Sequence, residues 1–162
     1  PTEYEKMIAG DFYKPSDPKL RALAAAQEKK QWAFNAEPDR LKRAEIVKII
    51  GLVRLVKNVA MNPQFVTDYG VNIHIGENFY SNRNLTMLDI CPITIGDNAM
   101  IGPNCQFLTP CIRLINERNS GIEYGAPITI GDNFGGGGVT ILPGVTLGDN
   151  VVAGAGAVVT KS

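Results

Sequence analysis

The sequence predicts a mainly β protein: a parallel β-helix of hexapeptide repeats, preceded by an N-terminal helical segment. Three observations predict it. An apolar residue recurs every six positions at Ile141, Leu147, Ala153 and Val159, and earlier at Ile95, Ile101 and Phe107. Small or polar turn residues follow the beat, as at Gly96, Gly102 and Gly148-Asp149-Asn150. Residues 1 to about 60 lack the beat altogether. An apolar residue every six followed by a turn is the signature of a coil made from one short strand and one corner at a time. Three such units close a triangular coil, and each apolar residue stacks on its counterpart one strand spacing (about 4.8 Å) away. One coil buries almost nothing, so stability comes from stacking several. Glycine and asparagine are expected where the corners need φ > 0.

The elements follow in order. Ser16-Asp17-Pro18 opens a helix, a capping side chain followed by proline where no N–H is needed. The helix runs from Lys19 to Phe34, with Leu20, Leu23, Ala24 and Gln27 at helical spacing and Trp32 and Phe34 at its end. Glu37-Pro38-Asp39 opens a second helix with Leu41, Ala44, Val47 and Ile50 or Gly51 on one face. Two short helices make no core of their own, so they are expected to pack on the β-helix or across a subunit interface. Asn62-Pro63 marks the boundary, giving residues 1–62 as the helical segment and 63–162 as the β-helix. Val71 to Gly76 brings in the first coil. The beat disappears between Phe107 and Ile128, where a polar side-loop spans about 108–126. Loops of this length are functional or disordered.

Composition narrows the function. Formal net charge is zero, which gives no electrostatic footprint for nucleic acid or an anionic membrane. No apolar run approaches a membrane span, and the polar N-terminus is no signal peptide. Three cysteines, Cys91, Cys105 and Cys111, lack metal spacing and read as thiols of a reducing cytoplasm. The single histidine, His74, cannot build a three-histidine zinc site, so no metal is expected.

The beat breaks once more. Ile130 and Ile141 stand eleven apart, one short of two repeats, and the short stretch holds Gly135-Gly136-Gly137-Gly138.

The chain resembles the galactoside and maltose O-acetyltransferases of the hexapeptide acyltransferase superfamily. The resemblance rests on Glu5-Lys6-Met7-Ile8-Ala9-Gly10, on Tyr69 to Tyr80, on Arg118-Asn119-Ser120-Gly121 and on Ile128 to Lys161. It implies a left-handed β-helix, a homotrimer, and acetyl-CoA in the groove between subunits. It also implies a side-loop histidine that takes the proton from a sugar hydroxyl as that hydroxyl attacks the thioester directly. An imidazole is suited to that task, and a backbone N–H must meet the developing oxyanion.

By this resemblance Tyr80, Asn82 and Asp68 match acceptor-pocket positions, and Asp17 lies in the segment that gives an acidic acceptor contact. Gly137 matches the oxyanion donor, and Ala155, Thr160 and Lys161 match positions that contact CoA. His74 is out of register for the catalytic base and reads as structural. Val158 to Ser162 stops inside a coil with no polar cap, where family members continue, so a further segment is expected.

The chain departs from the family at the base itself. The segment that resembles His-Pro-Leu-Asp elsewhere is Thr109-Pro110-Cys111-Ile112-Arg113-Leu114-Ile115. Counting from Pro103 puts the histidine slot at Ile112, and counting back from Arg118 puts it at Cys111. Plausible codons for Cys-Ile-Arg-Leu-Ile-Asn, TGC ATC CGC TTG ATC AAC, give His-Pro-Leu-Asp-Gln when read from the third base. A Val-Trp pair that loses its first base reads Phe-Gly, as at Phe134-Gly135. Two compensated frame shifts would therefore place histidine at Cys111/Ile112 and tryptophan near Phe134 in the natural chain. The leading expectation is an acetyl-CoA-dependent sugar O-acetyltransferase. The alternatives are a catalytically inactive trimer that binds without turning over, and a cysteine nucleophile that would need an activating base.

Overall fold

The computed structural model describes residues 1–49, 57–111 and 121–162. The positions Ile50, Gly51 and Ile112, and most of the side-loop, lie outside the described residues. Helices α1 (Glu3–Ile8), α2 (Pro18–Ala36) and α3 (Arg40–Ile49) come first. Among the described residues fourteen short strands follow, from β1 (Ala60–Met61) and β2 (Phe65–Thr67) to β13 (Val152–Ala153) and β14 (Val158–Val159). Every third strand joins the same parallel sheet: β1-β4-β7-β10-β13, β2-β5-β8-β11-β14, and β3-β6-β9-β12. Three sheets built in rotation are the faces of a parallel β-helix.

The six-residue beat becomes stacked interior columns. Ile75, Ile95, Ile130 and Leu147 are in register on one face, and Met87, Phe107, Ile141 and Val159 on another. The outward positions beside the first column are polar, so His74 on β3 (Ile73–Ile75) is exposed and pairs in register with Thr94.

The corners assign glycine and asparagine different tasks. Asn58, Asn78, Asn98, Asn133 and Asn150 hold φ near +60°, and each of the first four donates its side-chain amide to the next Asn, at 2.8, 2.9, 3.1 and 2.7 Å. Gly76, Gly96 and Gly131 do not have positive φ, contrary to expectation. They are glycine because a Cβ there would collide with Asp97, Asp132 and Asp149 of the next coil. Those carboxylates accept the backbone N–H of Glu77, Asp97 and Asp132 at 2.8, 2.8 and 2.7 Å.

The eleven-residue interval is absorbed at one corner. β10 (Gly135–Gly136) pairs in register with both β7 (Met100–Ile101) and β13, and β11 (Thr140–Ile141) with both β8 (Gln106–Leu108) and β14. The strands on either side keep their places, so the missing residue falls between Gly136 and Val139. Gly138, at φ +62°, closes the shortened turn by donating its N–H to the Pro103 carbonyl at 2.7 Å. Gly136 leaves its interior column without a side chain. Phe134 is buried beside it, edge-on to Phe107 with centroids 6.3 Å apart.

Two helical expectations are corrected. α1 was not foreseen; a six-residue helix capped by Thr2 is too short for a periodic signal. In α3 Val47 is buried, but Leu41 and Ala44 face outward, because only the end of the helix reaches the solenoid. α2 behaves as its spacing predicts at Leu20 and Gln27, and Phe34 enters the core while Trp32 stays outside it. Its polar residues have a further use. Asn35 both accepts from the Phe65 N–H (2.8 Å) and donates to the Phe65 carbonyl (2.9 Å). Gln31 accepts from the Thr67 N–H at 2.6 Å, and Gln27 donates to the Thr67 hydroxyl at 3.2 Å. Spaced four apart on one helical face, the three side chains satisfy the open edge of β2, which has no coil above it.

Gly70 sits under this cap at φ +76°, and a Cβ there would strike the Gln27 amide. Gly70→Ala is expected to lower unfolding free energy by about 2–3 kcal/mol, from backbone strain and lost capping together. Urea denaturation measures it, and a loss under 0.5 kcal/mol, the scale of a neutral surface change, would show that the cap yields freely.

Candidate active site

A cleft of about 500 Å³ opens where α2, the segment after α1 and the base of the side-loop meet the solenoid. Its floor is the turn that follows β2. Asp68 and Tyr69 stand there because Asp89, buried among Leu88 and Ile90, accepts their N–H groups at 3.1 and 2.8 Å and that of Asn72 at 3.1 Å. Asn72 returns a bond to the Asp89 carbonyl at 2.8 Å and accepts from the Tyr4 hydroxyl at 2.7 Å. Burial pushes the Asp89 carboxyl up to about 6, and the backbone N–H groups of Tyr69, Gly70 and Asn72 hold it down from going further.

One wall of the cleft is the base of the side-loop. Tyr13 and Glu123 exchange backbone bonds at 2.9 and 3.0 Å, Pro110 pairs with Gly125, and the Tyr13 hydroxyl donates to the Glu123 carboxylate at 3.2 Å. Burial and the Glu123 charge raise the Tyr13 phenol, which therefore keeps its proton. The other wall is α2, which offers Arg21, Glu28 and Gln31. Arg21 donates to the Tyr69 hydroxyl at 3.4 Å. Asp68 is pushed up to about 6, first by burial and then by Glu123, with Arg21 opposing. The result is a cleft of carboxylates, phenols, an amide and one guanidinium, suited to a ligand with many hydroxyls.

The expected site residues divide among three places. Asp68 lines the cleft. Asp17 does not: its carboxylate caps α2, accepting from the N–H groups of Lys19 and Leu20 at 3.1 and 3.3 Å. Tyr80 lies on β4 (Tyr80–Ser81), on a different face of the solenoid, beside a hollow of about 420 Å³ next to α3. The Asn82 side chain accepts the Arg83 N–H at 2.7 Å on the same face. One chain therefore does not bring Asp68 together with Tyr80 and Asn82. Gly137 and Ala155 fall at one corner in successive coils, where a Cβ on Gly138 would stand 3.5 Å from the Gly156 nitrogen. Thr160 and Lys161 follow β14 and are exposed.

Cys111 is half-buried, and burial raises its thiol. A raised thiol is a poor nucleophile at neutral pH, so burial works against Cys111 as a nucleophile. Sequence reasoning missed Tyr13, Arg21, Asp89 and Glu123. Only Asp89 left a signal, a lone charge inside the apolar run Met87 to Cys91.

Among the described residues no cluster of His, Cys, Asp and Glu is placed to hold a metal. No described helix is long and apolar enough to cross a membrane.

Residues 6–50 match the family described as the maltose acetyltransferase hexapeptide capping motif. A maltose O-acetyltransferase from Clostridium difficile 630 superposes with a TM-score of 0.92 at 44% identity, over 100% of this chain and 88% of that one. The chain belongs to the galactoside/maltose O-acetyltransferase family. It is therefore an acetyltransferase with a hexapeptide β-helix. A galactoside acetyltransferase solved in complex with coenzyme A superposes at a TM-score of 0.89 and 36% identity, over 100% of this chain and 82% of that one. The galactoside O-acetyltransferase of Escherichia coli K12 is 45% identical over 122 residues, 74% of this chain and 60% of that protein.

The Asp68 carboxyl gives a signed prediction. Its pKa is higher in the folded state than the ordinary 3.8, so ionisation destabilises the fold, a penalty absent below about pH 4 and complete above pH 6–7. Asp68→Asn should raise the thermal midpoint at pH 7.5, and the gain should vanish as pH falls to 4. Equal gains at both pH values would show that the side chain acts through packing and not through charge.

Proposed function

We propose that this acetyltransferase moves an acetyl group from acetyl-CoA to a hydroxyl of a sugar of the galactoside or maltose kind, by direct transfer within a homotrimer. The observation that carries the reading is the polar cleft around Asp68, Tyr13 and Glu123 in a chain of this family. Asp68 and Glu123 accept hydrogen bonds from acceptor hydroxyls, and Arg21 donates to them. The separation of Asp68 from Tyr80 and Asn82 supports a site shared between subunits: the cleft of one subunit faces the Tyr80 face of its neighbour, and together they surround the acceptor. Exposed Met100 and Val152 on the Tyr80 face, and Val158 on the adjoining one, supply apolar surface for that contact.

Acetyl-CoA lies along the inter-subunit groove past the Gly137 and Ala155 corner, with Thr160 and Lys161 toward its phosphates. The Gly137 N–H meets the tetrahedral oxyanion. A side-loop histidine at the Cys111/Ile112 slot of the natural chain takes the acceptor proton, and holding both substrates in one groove supplies proximity. The protein acts in the cytoplasm.

One observation favours a second reading, a trimer that binds acetyl-CoA and sugar without turnover. With Cys111 as written, the thiol is raised and offers no base.

Two experiments test these readings. Sedimentation equilibrium should give a trimer at micromolar concentration. Lys161→Ala and Ala155→Trp should each weaken CoA binding about tenfold or more, the loss of a charged or close contact. A stable monomer, or unchanged CoA affinity in both variants, refutes the placement. Separately, peptide mass spectrometry of the natural protein across residues 105–140 should show the histidine, and replacing it with alanine should lower the rate by about 10²–10⁴. Peptides reading Cys111-Ile112-Arg113 would make the non-catalytic trimer the correct reading.

A further inference from the structure

Trp32 is the single tryptophan of the chain, and it is 70% exposed. α2 does not need it for packing: the helix buries Leu20, Gln27 and Phe34 on the solenoid. The ring stands between two shallow hollows of about 280 and 380 Å³. Glu28 lines both the first hollow and the cleft, and Gln31 lines both the second hollow and the cleft. Trp32 does not itself line the cleft; it stands one helical turn from Glu28, and the hollows beside its ring share Glu28 and Gln31 with the cleft.

The surroundings of the ring are polar. Glu28 and Lys29 lie on one side, and Gln31, Asn35 and Gln64 on the other. The Gln31 carbonyl oxygen is occupied by the Thr67 N–H and hydroxyl, at 2.6 and 3.2 Å, which leaves its amide N–H groups for a ligand. Val66 is the only large apolar neighbour in either hollow, so this is no broad apolar patch of the sort a protein partner covers. A flat aromatic face rimmed by hydrogen-bonding groups suits a pyranose ring, whose faces are C–H and whose edge carries hydroxyls.

We infer that Trp32 is the stacking platform of a second sugar subsite, holding the next ring of an oligosaccharide whose first ring occupies the Asp68 cleft. The inference rests on the sugar-acceptor reading and adds to it a preference for acceptors of two or more rings.

Intrinsic fluorescence tests it, with the Trp32 emission taken as the difference between the protein and its Trp32→Phe variant, so that a tryptophan near Phe134 does not contribute. Glucose and maltose serve as probes, titrated into the protein with CoA present, so that turnover is not required. Maltose should shift the emission to the blue and saturate, while glucose should bind, by calorimetry, without moving it. In calorimetry Trp32→Ala should weaken maltose about three- to tenfold, the range of an aromatic stacking contact, leave glucose unchanged, and be rescued by Trp32→Phe. Asp68→Asn should weaken both sugars alike. If glucose and maltose bind but Trp32→Ala changes neither, the subsite is refuted and the acceptor reading stands. Emission already blue in the free protein would put Trp32 beneath another subunit and refute the subsite alone. If neither sugar binds, the acceptor reading itself fails and the subsite with it.

Discussion

Coil must sit on coil at a fixed register, and the corner ladders enforce it. At the Gly-Asp-Asn corners each aspartate accepts an N–H from the coil before it, Asn98 and Asn133 each receive and give a side-chain amide bond, and Asn150 receives the last. A slip of one residue would point every interior apolar side chain outward. The stacking is therefore specified twice, by the apolar columns and by the polar corners. The shortened turn at Gly137-Gly138 shows the strength of this constraint, since the chain gives up a corner residue and keeps both flanking strands in register.

A solenoid held together in this way leaves a raw edge at its first coil. α2 meets that need with Gln27, Gln31 and Asn35, which bond the edge of β2. The same helix carries Arg21 and Glu28 to the cleft. Capping and site construction are thus one event: whatever displaces α2 exposes the β2 edge and dismantles a wall of the cleft together. The Tyr13–Glu123 pairing ties the opposite wall to the side-loop in the same manner.

The cleft concentrates like charges at the cost of stability. Burial raises both Asp68 and Asp89 to about 6, and like charges add to it, Glu123 on Asp68 and Asp68 on Asp89. Such groups are held by the surrounding fold, here the Asp89 hydrogen bonds and Arg21, and they provide oriented acceptors to an incoming hydroxyl without reorganisation.

The sequence by itself determined the repeating unit, and with it the parallel β-helix, the helical segment ahead of it and the family. The six-residue period is a local property: Ile95, Ile101 and Phe107 report their own strands. It also located the break at the glycine run, although not its resolution, because whether a strand or a corner yields depends on neighbouring coils such as Gly102 and Pro103. The division of labour between glycine and asparagine was illegible for the same reason, since Gly96 is required by Asp132 thirty-six residues away. Asp68 was legible through resemblance as a candidate, and the structure puts it in the cleft, but Asp17 read as acceptor contact and cap alike, and only its bonds to Lys19 and Leu20 show the carboxylate in use as a cap. Tyr13, Arg21 and Glu123 carry no motif; they become a site only because α2 docks on β2 and the side-loop returns beside the N-terminal segment. Those are long-range contacts, and the chain records them in no local pattern.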